Sequence, residues 1–280
     1  MSLMPSDLVR GDVPLASLPD VFQRFSEKLE DPGAKASDFA DILQTDPALT
    51  MRVLRIVNSA YYSFSSEITN IAHAITIIGL GDLRELILAV SVAEFFKGLP
   101  NELVSMETFW RHSVMTAILA AELQKSPPVQ TSESMFTAGL LHDVGSLVIY
   151  NKIPEMAKSV IELQERENKP VQELELRVIG FDHAAVGTEL MQFWRLPEFL
   201  VQTVANHHKS EADGDFVFES QLLSMANEMA HEVLDKKGVS AVDVAESFAA
   251  NDLKISVGSI ETAIDHSLEQ LESVLQTITQ

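Results

Sequence analysis

The residues with most chemical potential in this 280-residue chain are its eight histidines. Three of them, His73, His231 and His266, stand among helical residues with no histidine beside them and read as surface or hydrogen-bonded side chains. The other five have more pointed surroundings. His112 lies in Trp110-Arg111-His112-Ser113, and His142-Asp143 sits between Gly139-Leu140-Leu141 and Val144-Gly145. His183 follows Asp182, and His207-His208 close an apolar helix pattern. An adjacent His-Asp pair within an apolar stretch is costly to bury unless it is paired or bound to a metal. Cysteine is absent, which removes disulfides, thiolate metal sites and cysteine nucleophiles together. A metal would therefore be held by imidazole and carboxylate, a donor set suited to Zn, Fe, Mn or Ni.

These side chains must be positioned by helices. Leu18, Phe22, Phe25 and Leu29 recur at helical spacing, and Asp31-Pro32-Gly33 ends that stripe. Ser37 is the expected cap of the next helix, Asp46-Pro47 opens another, and Thr69 is the expected cap of a helix that Gly79 stops. In the second half the pattern predicts helices over Phe109–Leu123, Met135–Ile149, from Pro154, from His183 after Asp182, and from Leu196-Pro197 to His207-His208. The stretch 210–215 reads as a loop, Phe218–Leu234 as a helix ending near Lys237-Gly238, and Leu253–Ile278 as one or two more. No alternating strand pattern and no Gly-rich phosphate loop occurs. The expected fold is all-α in two lobes, residues 1–100 and 101–280, with Gly98 to Ser105 as the boundary.

Charge narrows the function classes. Lys and Arg number 20 against 41 Asp and Glu, a net charge of −21. Such a chain repels nucleic-acid backbones and anionic lipid. The strongly apolar run Leu86–Ala93 is too short to span a bilayer, and the N-terminus shows Asp7 and Asp12 rather than a basic-then-apolar signal. The expected location is the cytoplasm. Trp110 and Trp194 read as core packing. Tyr61-Tyr62 reads as packing at a helix end, and the run Glu162, Glu165, Glu167, Glu173 and Glu175 as a solvated face.

The flanks of the five histidines resemble a known family. Phe109-Trp110-Arg111-His112-Ser113, Ala138-Gly139-Leu140-Leu141-His142-Asp143-Val144-Gly145, Asp182-His183-Ala184-Ala185-Val186-Gly187 and Asn206-His207-His208 are similar to the HD superfamily. Asp46-Pro47-Ala48-Leu49, Leu54 to Tyr62 and Ala74 to Leu80 resemble the segment that marks the HD-related output domain, HDOD. The resemblance runs over roughly residues 17–235. It implies an N-terminal helical bundle joined to an HD-like bundle, a role in bacterial signal transduction as an output module, and no demonstrated catalysis. It implies partners such as a sensor kinase or another regulator. The oligomeric state stays open.

Carried over by motif, the HD metal cage maps onto His112, His142 and Asp143, with His183, His207 and His208 as further ligands. The later acidic ligand of the family falls on Asn227, which leaves the cage one negative charge short, so a divalent ion (Fe, Mn, Ni or Zn) is expected at partial occupancy. Gly145 is expected to permit the backbone bend that lets His142 and Asp143 address one ion. The HD-GYP phosphodiesterases carry a lysine where this chain has Ser146, and the Gly-Tyr-Pro element is absent. Arg111, Arg195 and Lys209 are the candidate replacement cations, though each reads first as a surface or ion-paired residue. The resemblance thus implies a non-catalytic module with a degenerate metal or ligand pocket. The alternative is a metal-dependent phosphohydrolase acting on a nucleotide or cyclic dinucleotide.

Overall fold

The computed structural model describes residues 3–10, 20–59, 62, 64, 66–97, 103–129, 131, 134–209, 213–236, 238–249 and 252–279. Leu18, Ala60, Tyr61, Gly98-Leu99-Pro100, residues 210–212 and Lys237, all used in the sequence reading, lie outside them. Among the described residues every regular element is a helix, so the protein is all-α. The order is α1 (Pro5–Arg10), α2 (Asp20–Leu29), α3 (Ala36–Gln44), α4 (Pro47–Val57) and α5 (Ile71–Lys97). Then come α6 (Met106–Gln124), α7 (Met135–Leu141), α8 (Val144–Lys152), α9 (Pro154–Glu167) and α10 (Val171–Val178). The chain finishes with α11 (His183–Phe193), α12 (Glu198–Asn206), α13 (Val217–Asp235), α14 (Ala241–Ser247) and α15 (Val257–Thr279). No helix among the described residues is long and apolar enough to cross a membrane.

Local chemistry sets most of these boundaries. Asp46 accepts a hydrogen bond from the Leu49 amide at 3.0 Å ahead of Pro47, as expected at the start of α4. Asp182 accepts from the Ala185 amide at 2.9 Å and starts α11. Gly79 interrupts α5 with φ 83° and ψ 169°, a backbone geometry open chiefly to glycine. Two caps differ from expectation. Asn70, not Thr69, accepts from the His73 amide and opens α5. Ser37 lies inside α3, whose start is held by Asp38 accepting from the Lys35 amide. The helix α14 was not anticipated; Ser240 and Asp243 form a reciprocal cap at its start.

The core centres on α6, which is buried along most of its length and packs against α7, α13 and α15. A Cβ on Gly139 of α7 would come within 2.5 Å of the Ala117 Cα on α6, so that crossing depends on glycine. The helix α8 packs on α11, α12 bridges α11 and α13, and α1 lies against α11 and α8. The C-terminal α15 reaches back onto α4 and α5, so the buried apolar residues form one continuous cluster. Trp110 and Trp194 both belong to it, as expected.

Candidate metal centre

The predicted helix over Met135–Ile149 is broken in two at the His-Asp pair. His142 and Asp143 lie between α7 and α8; His142 keeps helical dihedrals, and Asp143 departs from them with φ −98° and ψ 9°. The cause is partly the histidine itself. Its Nδ1 donates to the Gly139 carbonyl at 2.7 Å, satisfying an oxygen that the end of α7 would leave unpaired. Gly145 is not the hinge that was expected. It sits inside α8, where a Cβ would lie 2.0 Å from the His183 carbonyl oxygen and 2.6 Å from the Gly187 nitrogen. Its role is to let α8 and α11 touch, which brings Asp143 against His183.

The end of α12 repeats the device used at α7. His207 Nδ1 donates to the Val204 carbonyl at 2.6 Å, again three residues back at a helix terminus. A carbonyl only accepts, so in both rings Nδ1 carries the proton and Nε2 keeps its lone pair. Both Nε2 atoms are buried, have no hydrogen-bond partner, and face Asp143: His142 Nε2 lies 3.2 Å from Oδ2 and His207 Nε2 3.7 Å from Oδ1. His183 adds Nε2 at 3.2 Å from Asp143 Oδ1 and 2.8 Å from His208 Nε2. His112 Nε2 lies 3.8 Å from Asp143 Oδ2 and 2.9 Å from Asn227 Oδ1. All seven residues singled out by motif therefore converge on one place.

The donor atoms form two overlapping groups. One is Asp143, His183, His207 and His208; the other is His112, His142 and Asp143, with the atoms of each group within 4.8 Å of one another. Asp143 belongs to both, one carboxylate oxygen toward each. The outward nitrogens of His142, His183 and His207 are all tied to carbonyl or carboxylate oxygens, the pattern that orients imidazole toward a metal. Two buried imidazole lone pairs without a donor, beside a carboxylate, fit a borderline divalent ion.

One participant, Glu175, escaped the sequence reading; His231 is exposed and hydrogen-bonded, as read from the sequence, yet it also touches the cluster. Glu175, grouped with a solvated acidic face, is buried on α10; its Oε2 accepts from His183 Nδ1 at 2.6 Å and from the His183 amide at 2.9 Å. The His231 ring packs at a tilt against His112 with centroids 4.2 Å apart, while its Nδ1 meets Asp235 at 3.0 Å. It stands one helical turn beyond Asn227, and that four-residue spacing was the available signal.

Electrostatics divides the rings. Burial pushes the His112 pKa down to about 3, reinforced by His142, and pushes His208 down to about 2, reinforced by His207. Burial likewise lowers His207. His183 moves the other way: burial opposes its charge, but Glu175 and Asp143 on either side outweigh it and hold the pKa well above the usual value. Burial would also raise Asp143, yet His142, His183 and His207 around it keep it well below the carboxylate range.

Of the cations proposed for phosphate, two are ion-paired and the third lies away from the histidines. Arg111 pairs with Glu272 at 2.6 Å and Lys209 with Asp213 at 3.5 Å. Arg195 stands past the far end of α11 from His183, roughly 18 Å along the helix at ~1.5 Å per residue. Ser146 is buried in the first turn of α8.

Comparison with known proteins shows the family and the fold. The HDOD domain model matches residues 15–210. The chain belongs to the HDOD family. An uncharacterized protein of Treponema pallidum (strain Nichols) is 28% identical over 198 residues, 70% of this chain but 38% of that protein, so the HDOD chain matches well under half its relative's length. An HDOD domain protein of unknown function from Geobacter sulfurreducens has a solved structure with TM-score 0.74 and 26% identity, covering 99% of this chain and 97% of that one. A "Putative phosphohydrolase" from Shewanella amazonensis SB2B superposes with TM-score 0.77 at 22% identity, covering 94% of each chain, a likeness of fold.

Proposed function

We propose that this HDOD chain is a metal-binding module of bacterial signal transduction, acting in the cytoplasm through contact with a partner protein such as a sensor kinase or regulator. Its pocket does not turn over phosphate esters. The observation that carries the metal assignment is the pair of buried, unpartnered Nε2 atoms of His142 and His207 beside Asp143. Each such atom costs about 1–3 kcal/mol if left without a partner, which a divalent ion (Fe, Mn, Ni or Zn) recovers. His112, His142 and Asp143 would hold one ion and Asp143, His183, His207 and His208 a second; bound there, the metal supplies Lewis acidity toward an anionic ligand.

The non-catalytic reading is supported by what surrounds the cluster. A transferring phosphoryl group needs fixed positive charge. Ser146 stands in the lysine position, Arg111 and Lys209 are ion-paired, and Asn227 replaces an anionic ligand. One observation favours a second reading, a phosphohydrolase acting on a nucleotide or cyclic dinucleotide: a carboxylate shared by two donor groups is the layout of two-metal phosphoesterases.

Metal analysis of the purified protein, followed by a hydrolysis panel with added Mn, separates the two. The expected result is bound metal, loss of at least about 100-fold in affinity in Asp143→Ala, and no measurable turnover. Turnover of about 1 per second or faster that disappears in Asp143→Ala selects the hydrolase. Failure of metal-stripped protein to bind Mn, Fe or Zn removes the metal assignment altogether.

A further inference from the structure

A second cleft lies away from the histidines, between the N-terminal helices and the turn that follows α11. It encloses about 310 Å³ and is lined by Phe22, Ser26 and Glu27 of α2, Arg84 of α5, and Phe193, Trp194 and Arg195. Its two arginines are unusual in this molecule. Of nine arginines in the sequence, Arg10, Arg24, Arg52, Arg111, Arg166 and Arg177 each sit within 4.0 Å of a carboxylate. Arg55, Arg84 and Arg195 have no such partner among the described residues, and two of these three meet here. With acids outnumbering bases two to one, unpaired guanidiniums gathered in one concavity are not expected by composition.

Arg195 is also held at a conformational cost. It occupies the left-handed region with φ 53°, as the residue after the C-cap of α11. The amide of Leu196 bonds the Met191 carbonyl and that of Arg195 the Gln192 carbonyl, each at 3.0 Å, a helix stop that ordinarily takes glycine. Glycine would close the same turn without strain, so the turn itself does not call for an arginine. Arg84 is preset differently: its Nε donates to Ser26 Oγ at 3.2 Å and its guanidinium carbon lies 5.7 Å from the centre of the Phe22 ring. Phe193, 39% exposed, supplies an aromatic surface beside the two cations.

We propose that this cleft binds a small phosphate-bearing ligand with a flat ring, of the size of a nucleoside monophosphate. The guanidiniums of Arg84 and Arg195 take the phosphate in the fork geometry that suits its oxygens, and Phe193 takes the ring. The volume is at the lower end for small-molecule sites, which fits a mononucleotide better than a larger ligand. Glu27, which also lines the cleft, would take sugar hydroxyls or ring amines rather than the phosphate. Such a ligand ties α2 and α5 to the end of the helix that begins at His183.

The test is calorimetric titration of the full chain, stripped of metal, with AMP, GMP, adenosine and inorganic phosphate. AMP or GMP is expected to bind with Kd about 1 mM or tighter, and adenosine and phosphate at least about tenfold more weakly. Arg195→Gly is expected to weaken the nucleotide at least about tenfold while thermal stability holds or rises, because glycine relaxes the left-handed turn. Arg84→Gln should weaken it similarly, and Arg55→Gln, the third unpaired arginine, should not. No binding of either nucleotide to the wild type overturns the proposal. So does binding that survives Arg195→Gly, that falls equally in Arg55→Gln, or that inorganic phosphate matches. Nucleotide binding abolished in Asp143→Ala and intact in Arg195→Gly places the ligand at the histidines and equally overturns it.

Discussion

The described residues up to 97 and those from 103 onward are built from the same apolar helix patterns, yet they treat buried polarity differently. Of the eighteen buried polar or charged residues, only Ser59 and Ser91 belong to the first region. There, Ser59 and Ser91 keep buried hydroxyls without a hydrogen-bond partner, while exposed Asn58 works on the backbone. Asn58 donates to the Leu54 and Ile68 carbonyls, each at 2.8 Å, and accepts from the Ile68 amide at 2.7 Å. In the second region His142 and His207 also serve the backbone, but with one nitrogen only; the other is left inside without a partner. A buried polar group that is fully paired explains itself as structure. One that is half paired, with its free atom beside a carboxylate, asks for a ligand.

Two glycines, one from each region, make a sharper contrast, and the first gives the largest expected effect. Gly145 is fixed by a close approach: any side chain meets the backbone of α11 at 2.0 Å. Gly145→Ala must push α8 off α11, and we expect a loss of about 3 kcal/mol or more in urea denaturation, with metal affinity falling as Asp143 moves from His183. Gly79 is fixed by conformation, with φ 83° and nothing within 4 Å of the added carbon. The contrast predicts a large, site-coupled effect at Gly145 and a small, uncoupled one at Gly79.

Glu175→Gln comes next. The substitution keeps the shape of the side chain but removes the charge that faces His183 Nδ1. Loss of a partner behind a metal-directed imidazole lowers metal affinity about 10- to 100-fold. Titration of the metal-stripped variant measures it. An unchanged affinity would mean that His183 serves packing, and the second donor group would then lose its anchor.

How far these features were legible in the sequence follows from how local they are. The helical class, the cap at Asp46-Pro47 and the convergence of His112, His142, Asp143, His183 and His207-His208 were carried by short motifs. The break at His142-Asp143 was not, because Met135 to Ile149 is mostly apolar on both sides of the pair and the break comes from a ring reaching back to Gly139. Glu175 looked like its exposed neighbours because acidic residues crowd that stretch; it is buried where the turn at Gly180, φ 98°, brings the start of α11 onto its carboxylate. The left-handed Arg195 had no local signal, since a helix stop without glycine does not announce itself.

Gly79→Ala gives the next smaller effect. Forcing alanine into this positive-φ, extended-ψ region, open chiefly to glycine, costs about 1–3 kcal/mol. With no atom in its way, the change should lower the urea midpoint and leave metal affinity within twofold, a value set by the roughly independent behaviour of distant sites. A parallel fall in metal binding would show that the kink in α5 is coupled to the histidines, and the division between the two regions would not hold.

The smallest effect is expected at Asn227, and it is a gain. Asn227 Oδ1 lies 2.9 Å from His112 Nε2, at the edge of the donor group made by His112, His142 and Asp143. Asparagine is neutral there, so this group holds a single carboxylate, whose charge the other group shares. Asn227→Asp keeps the shape and adds a negative charge within reach of the same space. In water-accessible protein the Coulomb gain between a carboxylate and a divalent ion is partly offset by desolvation and by repulsion from Asp143, leaving a net gain of about 1 kcal/mol, roughly fivefold in affinity. Competitive titration of wild type and variant with Mn, Fe and Zn measures it. Tighter binding in the variant places residue 227 in the ligand set and identifies its asparagine as the reason for a weaker site. Equal binding would mean that Asn227 only holds His112 in place, and the charge deficit of the cage would have to be sought elsewhere.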